Sequence, residues 1–154
     1  MKHHFDCDDV GELSEYVGCK ILQTDSTIRF AQPVLLQSFE DEFKCKAGKT
    51  QIPPKASGNP EECKPSDTLS KVEQTNYCSG VGKLLHIMHW SRPEIYNAVR
   101  ELSGFMMIGA SKYHMLAMEK VMNYCLATRE RGLLLEPTQV WDGNLDWIQT
   151  MLRM

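Results

Sequence analysis

The 154-residue chain lacks several features, and each absence closes off a class. Its apolar runs are short, the stretch from Gly104 to Ala110 being among the longest, far below the roughly 18 residues that cross a bilayer, so no membrane span is expected. Its six cysteines, at 7, 19, 45, 63, 78 and 125, include no CxxC pair and no framework spacing. That pattern supports neither a zinc ribbon nor a disulfide scaffold, and reduced packing thiols are expected. The opening Met1-Lys2-His3-His4-Phe5-Asp6 has no apolar h-region, which argues against a secretory signal and points to cytoplasm or nucleus. Gly80 and Gly82 have no third glycine and no following Lys-Ser/Thr, so no nucleotide loop is formed. No nucleophile-base arrangement is recognisable.

What remains is a globular balance, 42% apolar and 24% charged, of a size for one ordinary domain. The net charge of −3 is unevenly spread. Residues 1–45 carry 4 basic and 9 acidic groups, whereas residues 83–131 carry 7 and 4. The basic excess therefore falls on the most helical segment, where a polyanion would find it and where a plain solvated surface is the simpler alternative.

Residues 46–76 hold Pro53, Pro54, Pro60 and Pro65 and almost no large apolar side chain, a composition that cannot offset its ordering entropy. A linker is expected there, separating residues 1–45 from residues 77–131, with a divergent tail over 132–154. In the first unit, residues 16–23 and 27–31 read as strands joined by the turn chemistry of Thr24, Asp25 and Ser26. Pro33 then opens a helix with Leu35, Leu36, Phe39 and Phe43 on one stripe, for which the hairpin is the nearest docking surface.

Three helices are expected in the second unit. The first covers residues 77–89, with Val81, Leu84, Leu85 and Met88 inward. The second starts at Ser91-Arg92-Pro93-Glu94, read as a cap, a first-turn proline and a capping box, and buries Ile95, Val99 and Leu102. The third covers residues 111–128, with Met115, Met118, Val121, Met122 and Cys125 inward, and Leu133 to Leu135 follow as a short strand candidate. The fold class is therefore α+β: an N-terminal β-hairpin plus helix, a long loop, then a three-helix bundle.

Candidate metal chemistry is sparse. Asp8 and Asp9 invite a metal-carboxylate reading, but adjacent acids on extended chain point to opposite faces, and a capping or solvated acidic turn explains them better. His86 and His89, three apart, would need Cys78 or His114 to make a zinc set, and nothing in the spacing requires it. The same holds for His3 and His4 beside Cys7. Gly80 and Gly82 suit a close approach of another backbone or a nucleic-acid strand.

The run from Tyr77 to Leu85, followed by Ser91-Arg92-Pro93-Glu94-Ile95 and Ala98-Val99, resembles the C-terminal part of copia-type retrotransposon reverse transcriptases. Upstream, Asp9-Val10-Gly11-Glu12, Tyr16-Val17-Gly18 and Ile21 are similar to that family's strand entry, and Gln32-Pro33 through Leu36 and Phe39 to its next helix. Downstream, His114, Ala117, Val121, Tyr124, Thr128 and Gly132-Leu133 resemble its last thumb helix and exit. The resemblance implies that the hairpin closes a palm and the later helices form a thumb on the template-primer duplex. The family's catalytic aspartates and their Mg²⁺ would lie upstream of this chain, so no cofactor and no catalytic residue is assigned here. Cys78, Gly104, Glu119 and Asn123 stand where family members commonly carry basic residues, which weakens the expected grip.

The candidates for phosphate contact are Lys83, Arg92, Arg100, Lys112 and Lys120, with Gly18, Gly80, Gly82, Pro93 and His114 as structural positions. Template-primer nucleic acid, palm segments and a ribonuclease H segment are the partners this implies. A helical protein-interaction module without nucleic acid is the competing class.

Overall fold

A computed structural model describes residues 13–24, 26–48 and 68–136. The expectations placed on Asp8 and Asp9, on His3, His4 and Cys7, on the prolines between residues 53 and 65 and on the tail after residue 136 lie outside the described residues. The fold is α+β: one antiparallel sheet and a cluster of helices.

The sheet runs β1 (Glu15–Tyr16), β2 (Cys19–Gln23), β3 (Ile28–Ala31) and β4 (Leu133–Leu135), in that spatial order. The strand expected over residues 16–23 is in fact two, because Val17 and Gly18 take positive φ of 50° and 71° and turn the chain between Tyr16 and its partner Cys19. Two successive positive φ values make the tight hairpin turn whose twist matches paired strands. Gly18 adopts this freely, whereas Val17, β-branched, is strained there. Thr24 and Thr27 close the next connection, the Thr24 amide donating to the Thr27 carbonyl at 2.9 Å and the Thr27 amide to Thr24 Oγ1 at 3.1 Å. Cys19 and Ile21 are buried while Lys20 and Leu22 are exposed, the alternation of a strand with one covered face. Leu133 to Leu135 return to pair with β3, Phe30 opposite Leu133 and Arg29 opposite Leu134.

Helix α1 (Pro33–Phe43) begins at its proline, as expected, and ends on Lys44 in the left-handed region, whose amide reaches the Phe39 carbonyl. Its Leu36 and Phe39 do not dock on the hairpin. They join the same buried cluster as Tyr77, Val81, Leu84, Met118, Met122 and Cys125. The helical surface offers far more apolar area than a four-residue strand, and area removed from water decides the docking. One core thus spans both sides of the proline-rich stretch.

Helix α2 (Lys71–Trp90) starts six residues before its expected first turn, so part of the presumed linker is helix. Ser70 caps it: its side chain accepts from the Glu73 amide, and Glu73 accepts from the Ser70 amide at 2.8 Å. That hydrogen bonding holds the Glu73 carboxyl below its ordinary pKa. Buried Tyr77 donates to the Leu102 carbonyl at 2.7 Å, and Gln74 reaches the Phe105 and Met106 carbonyls and the Ala110 amide.

The next helix does not start as expected. Pro93–Ile95 forms a 3-10 turn, α3 (Tyr96–Ser103) follows, and Ser91 caps neither. Ser91 Oγ instead donates to Gln32 Oε1 at 2.8 Å, tying α2 to the entrance of α1, and Glu94 pairs with Arg92. A short α4 (Phe105–Ile108) makes a fourth helix in what was read as a three-helix bundle, ending before Gly109 at φ 97°. Helix α5 (Lys112–Ala127) buries Met118, Val121, Met122 and Cys125, with Met115 half-buried. Among the described residues no helix is long and apolar enough to cross a membrane.

Candidate nucleic-acid interface

The five cations singled out by sequence divide into two groups. Lys83 is turned inward along α2: its Nζ meets Glu42 Oε1 at 2.5 Å and Ser38 Oγ at 3.1 Å, and lies 5.6 Å from the centre of the Phe43 ring. It therefore fastens α1 to α2, and its donors are committed within the chain. Arg92 is more deeply committed, being only 2% exposed. Its Nε pairs with Glu94 Oε1 at 2.6 Å, and its two terminal nitrogens reach the Thr128 carbonyl at 3.1 Å and Thr128 Oγ1 at 2.5 Å.

Burial pulls the Arg92 guanidinium toward its neutral form, but the Glu94 hydrogen bond, with Cys125, the Glu94 charge and Tyr124, outweighs it and lifts the pKa. Arg92 is a buried cation that locks the α2–α3 corner to the end of α5. Its assignment as a phosphate contact is corrected on that geometry.

Arg100, Lys112 and Lys120 are exposed. Among the described residues none of the three has an ion pair. Lys112 and Lys120 share a stripe of α5 with Leu116, 56% exposed, because four-residue steps return to nearly the same face. Eight residues place the two lysines about 12 Å apart along the helix axis.

The structural positions behave variously. A Cβ on Gly80 would lie 2.5 Å from Met118 Sδ and 2.9 Å from Met122 Cε, so this glycine admits the methionines of α5 rather than a nucleic-acid strand. Gly82 is exposed with nothing within 4 Å of an added Cβ, and no close approach uses it. Pro93 opens the 3-10 turn. His114 Nδ1 lies 2.9 Å from both the amide and the hydroxyl of Ser111, closing a capping box at the start of α5, and its ring stacks on Phe105 at 3.7 Å. Burial lowers its pKa.

The zinc set is not assembled: His86 Nδ1 faces Gln32 Nε2 at 2.7 Å, His89 Nδ1 faces the Leu85 carbonyl, and His114 sits in its cap. Among the described residues no group of three side chains could hold a metal ion. The described thiols are free, and burial pushes Cys45 up to about 11 and Cys125 up to about 12, which makes them poor nucleophiles.

Two arginines that the sequence did not single out meet at a cleft of about 490 Å³, lined by Arg29, Arg92, Pro93, Glu94, Arg131 and Leu134 with their neighbours. Arg29 comes from β3, and Arg131 from the turn after α5, where its guanidinium donates to the Tyr124 hydroxyl at 3.1 Å. Their sequence separation hid them. The only signal was a strand arginine with apolar neighbours on both sides, Ile28 and Phe30.

No family model, curated protein or solved structure matches the chain.

Proposed function

We propose that this chain is a palm-end and thumb-like segment of a copia-type reverse transcriptase, holding a template-primer duplex by its phosphates and not catalytic alone. The observation that carries the reading is the exposed stripe of α5, where Lys112 and Lys120 flank Leu116 and make no ion pair among the described residues. Arg100 on α3 adds a third exposed cation. Cations in this state have their donors available for phosphate, which position a duplex without reading its sequence. The ordered sequence resemblance supplies the family, and Mg²⁺ chemistry belongs to palm acids not assigned in this chain.

Fluorescence anisotropy of a labelled template-primer duplex, taken between 50 and 200 mM salt, tests the grip. Each phosphate contact contributes about 0.9 to the slope of log affinity against log salt. Replacing Arg100, Lys112 and Lys120 together by glutamine is expected to flatten that slope by about 2 to 3, while Lys83→Gln leaves it unchanged. A second reading is favoured by Met107 and Ile108 of α4, which are 94% and 78% exposed: a helical protein-interaction module. Absence of duplex binding at 50 mM salt would select it.

A further inference from the structure

The sheet has two edges, and they are unlike. β1 offers two residues, one of them Glu15, and ends in the turn at Val17 and Gly18. A charge and an abrupt end are common protections of an edge strand. β4 is three leucines with no charge or proline among them, and among the described residues β3 is its sole strand partner.

The strand register shows which backbone groups the β4 edge presents. The Thr24 amide donates to the Thr27 carbonyl across the β2–β3 turn, so Arg29, two residues on and opposite Leu22, directs its own amide and carbonyl at β2. Ile28 and Phe30 alternate with it and face β4, in keeping with the Phe30 carbonyl that a Cβ on Gly132 would strike. Leu133 and Leu135 therefore answer β3, whereas Leu134 turns its amide and carbonyl outward. Gly132 and Glu136 share its phase.

The side chains follow the same period. Arg29 and Leu134 are opposite each other on one face, and Gly132 and Glu136 flank Leu134 on that face at two-residue steps. Arg29 leans toward Gly132, its Nε 3.5 Å from the place a Cβ would take there, in room that only a glycine leaves. It thus leans away from Glu136 of its own chain, and neither residue makes an ion pair among the described residues. Leu134 is 50% exposed, and Glu136 is exposed.

We propose that the β4 edge pairs with the β4 edge of a second copy of this chain, antiparallel and centred on Leu134, joining two four-stranded sheets into one. A two-fold axis between the two Leu134 residues sets Gly132 of each copy opposite Glu136 of the other, with their outward amides and carbonyls in register. The Glu136 carboxylate then arrives beside the Arg29 guanidinium, twice by symmetry. Any extended peptide could satisfy the backbone groups, but the charge match at both ends of the ladder is written in this sequence. Pro137 has no N–H to extend the ladder, and a two-fold contact closes at two copies. The inference does not rest on the proposed duplex grip, whose cations lie on α3 and α5.

Sedimentation equilibrium of the whole chain at 50 mM salt, up to millimolar concentration, tests it. A reversible monomer–dimer equilibrium is expected, and a weak one, because so short an edge buries far less than the roughly 1,600 Å² of a standard interface. Arg29→Glu and Glu136→Arg each turn both symmetric pairs repulsive and are each expected to weaken the dimer by about tenfold. The double variant Arg29→Glu/Glu136→Arg is expected to restore it. Thermal unfolding checks that the variants keep the fold, and hydrogen exchange in the parent should slow at the Leu134 amide as concentration rises, with Leu133 unchanged. A chain that stays monomeric at millimolar concentration, or a dimer unmoved by either single reversal, as one built on Met107 and Ile108 would be, overturns the assignment. So does a folded double variant that fails to regain the dimer.

Discussion

Two helix starts in this chain share one local pattern and meet opposite fates. Ser70 and Glu73 frame the start of α2 as a reciprocal capping box on the surface. Ser91 and Glu94 have the same spacing at the next helix, yet Ser91 bonds Gln32 and Glu94 bonds Arg92. Around Ser70 no buried cation among the described residues claims the two side chains, the Lys112 charge near Glu73 being exposed, so the local preference prevails. Around Ser91 a buried guanidinium needs a counter-charge, and leaving it unpaired would cost several kcal/mol against about 1 for a cap. The lesson is that a capping motif is read by its neighbours: a cation placed to become buried between its two ends takes the acid away.

The most forceful way to break this contrast is to remove the competitor. Arg92→Ala should destabilise the protein by about 3 kcal/mol in urea unfolding, because Glu94 loses its partner and the Thr128 carbonyl and hydroxyl lose their donors. Overpacking comes next. Gly80→Ala forces the ends of Met118 and Met122 aside, and overpacking less the better helix propensity of alanine should leave a cost of about 1 kcal/mol by the same measurement. On the exposed side, Ser70→Ala removes a local cap and should cost about 1 kcal/mol, with Ser91→Ala showing its effect through Gln32 instead.

The third helix start sharpens the comparison with a smaller, pH-confined effect. His114 caps α5 through an unprotonated Nδ1 that faces the Ser111 amide, and its folded pKa lies below the ordinary 6.5. The unfolded chain therefore binds more protons as pH falls, so this contribution is complete above about pH 6.5 and is lost as acidity increases through the folded value. Unfolding midpoints between pH 7.5 and 5 should fall less steeply in His114→Gln than in the parent.

Much of the architecture was legible because it depends on local periodicity. The stripes on α1 and α5 and the proline at the start of α1 needed only sequence spacing. The early start of α2 is masked in the sequence although Ser70 and Glu73 are a readable signature, because the proline-rich, polar composition of the preceding segment continues up to them. The split of the first strand was hidden because Val17 has strong strand preference and only the turn geometry places it at positive φ.

Of the candidate interface, sequence found the cations but not their obligations. Lys83 meets Glu42 across 41 residues and Arg92 meets Thr128 across 36. Arg29 and Arg131 come together only through a strand pairing between β3 and β4. Such encounters depend on tertiary packing, which no window of neighbouring residues contains.

The pairing of Phe30 with Leu133 has a consequence for how the chain can be divided. It sets residues 30 and 133 side by side, so that most of the described chain, with all five α-helices, leaves and re-enters the sheet at one doorway. The two halves of the polypeptide are also held through α1, whose Phe39 is buried in the common core and whose Glu40 pairs with Arg129 at 2.8 Å. A protein severed between residues 48 and 68 would therefore stay a single particle in gel filtration, and the pieces on either side of the cut would behave as a complementing pair.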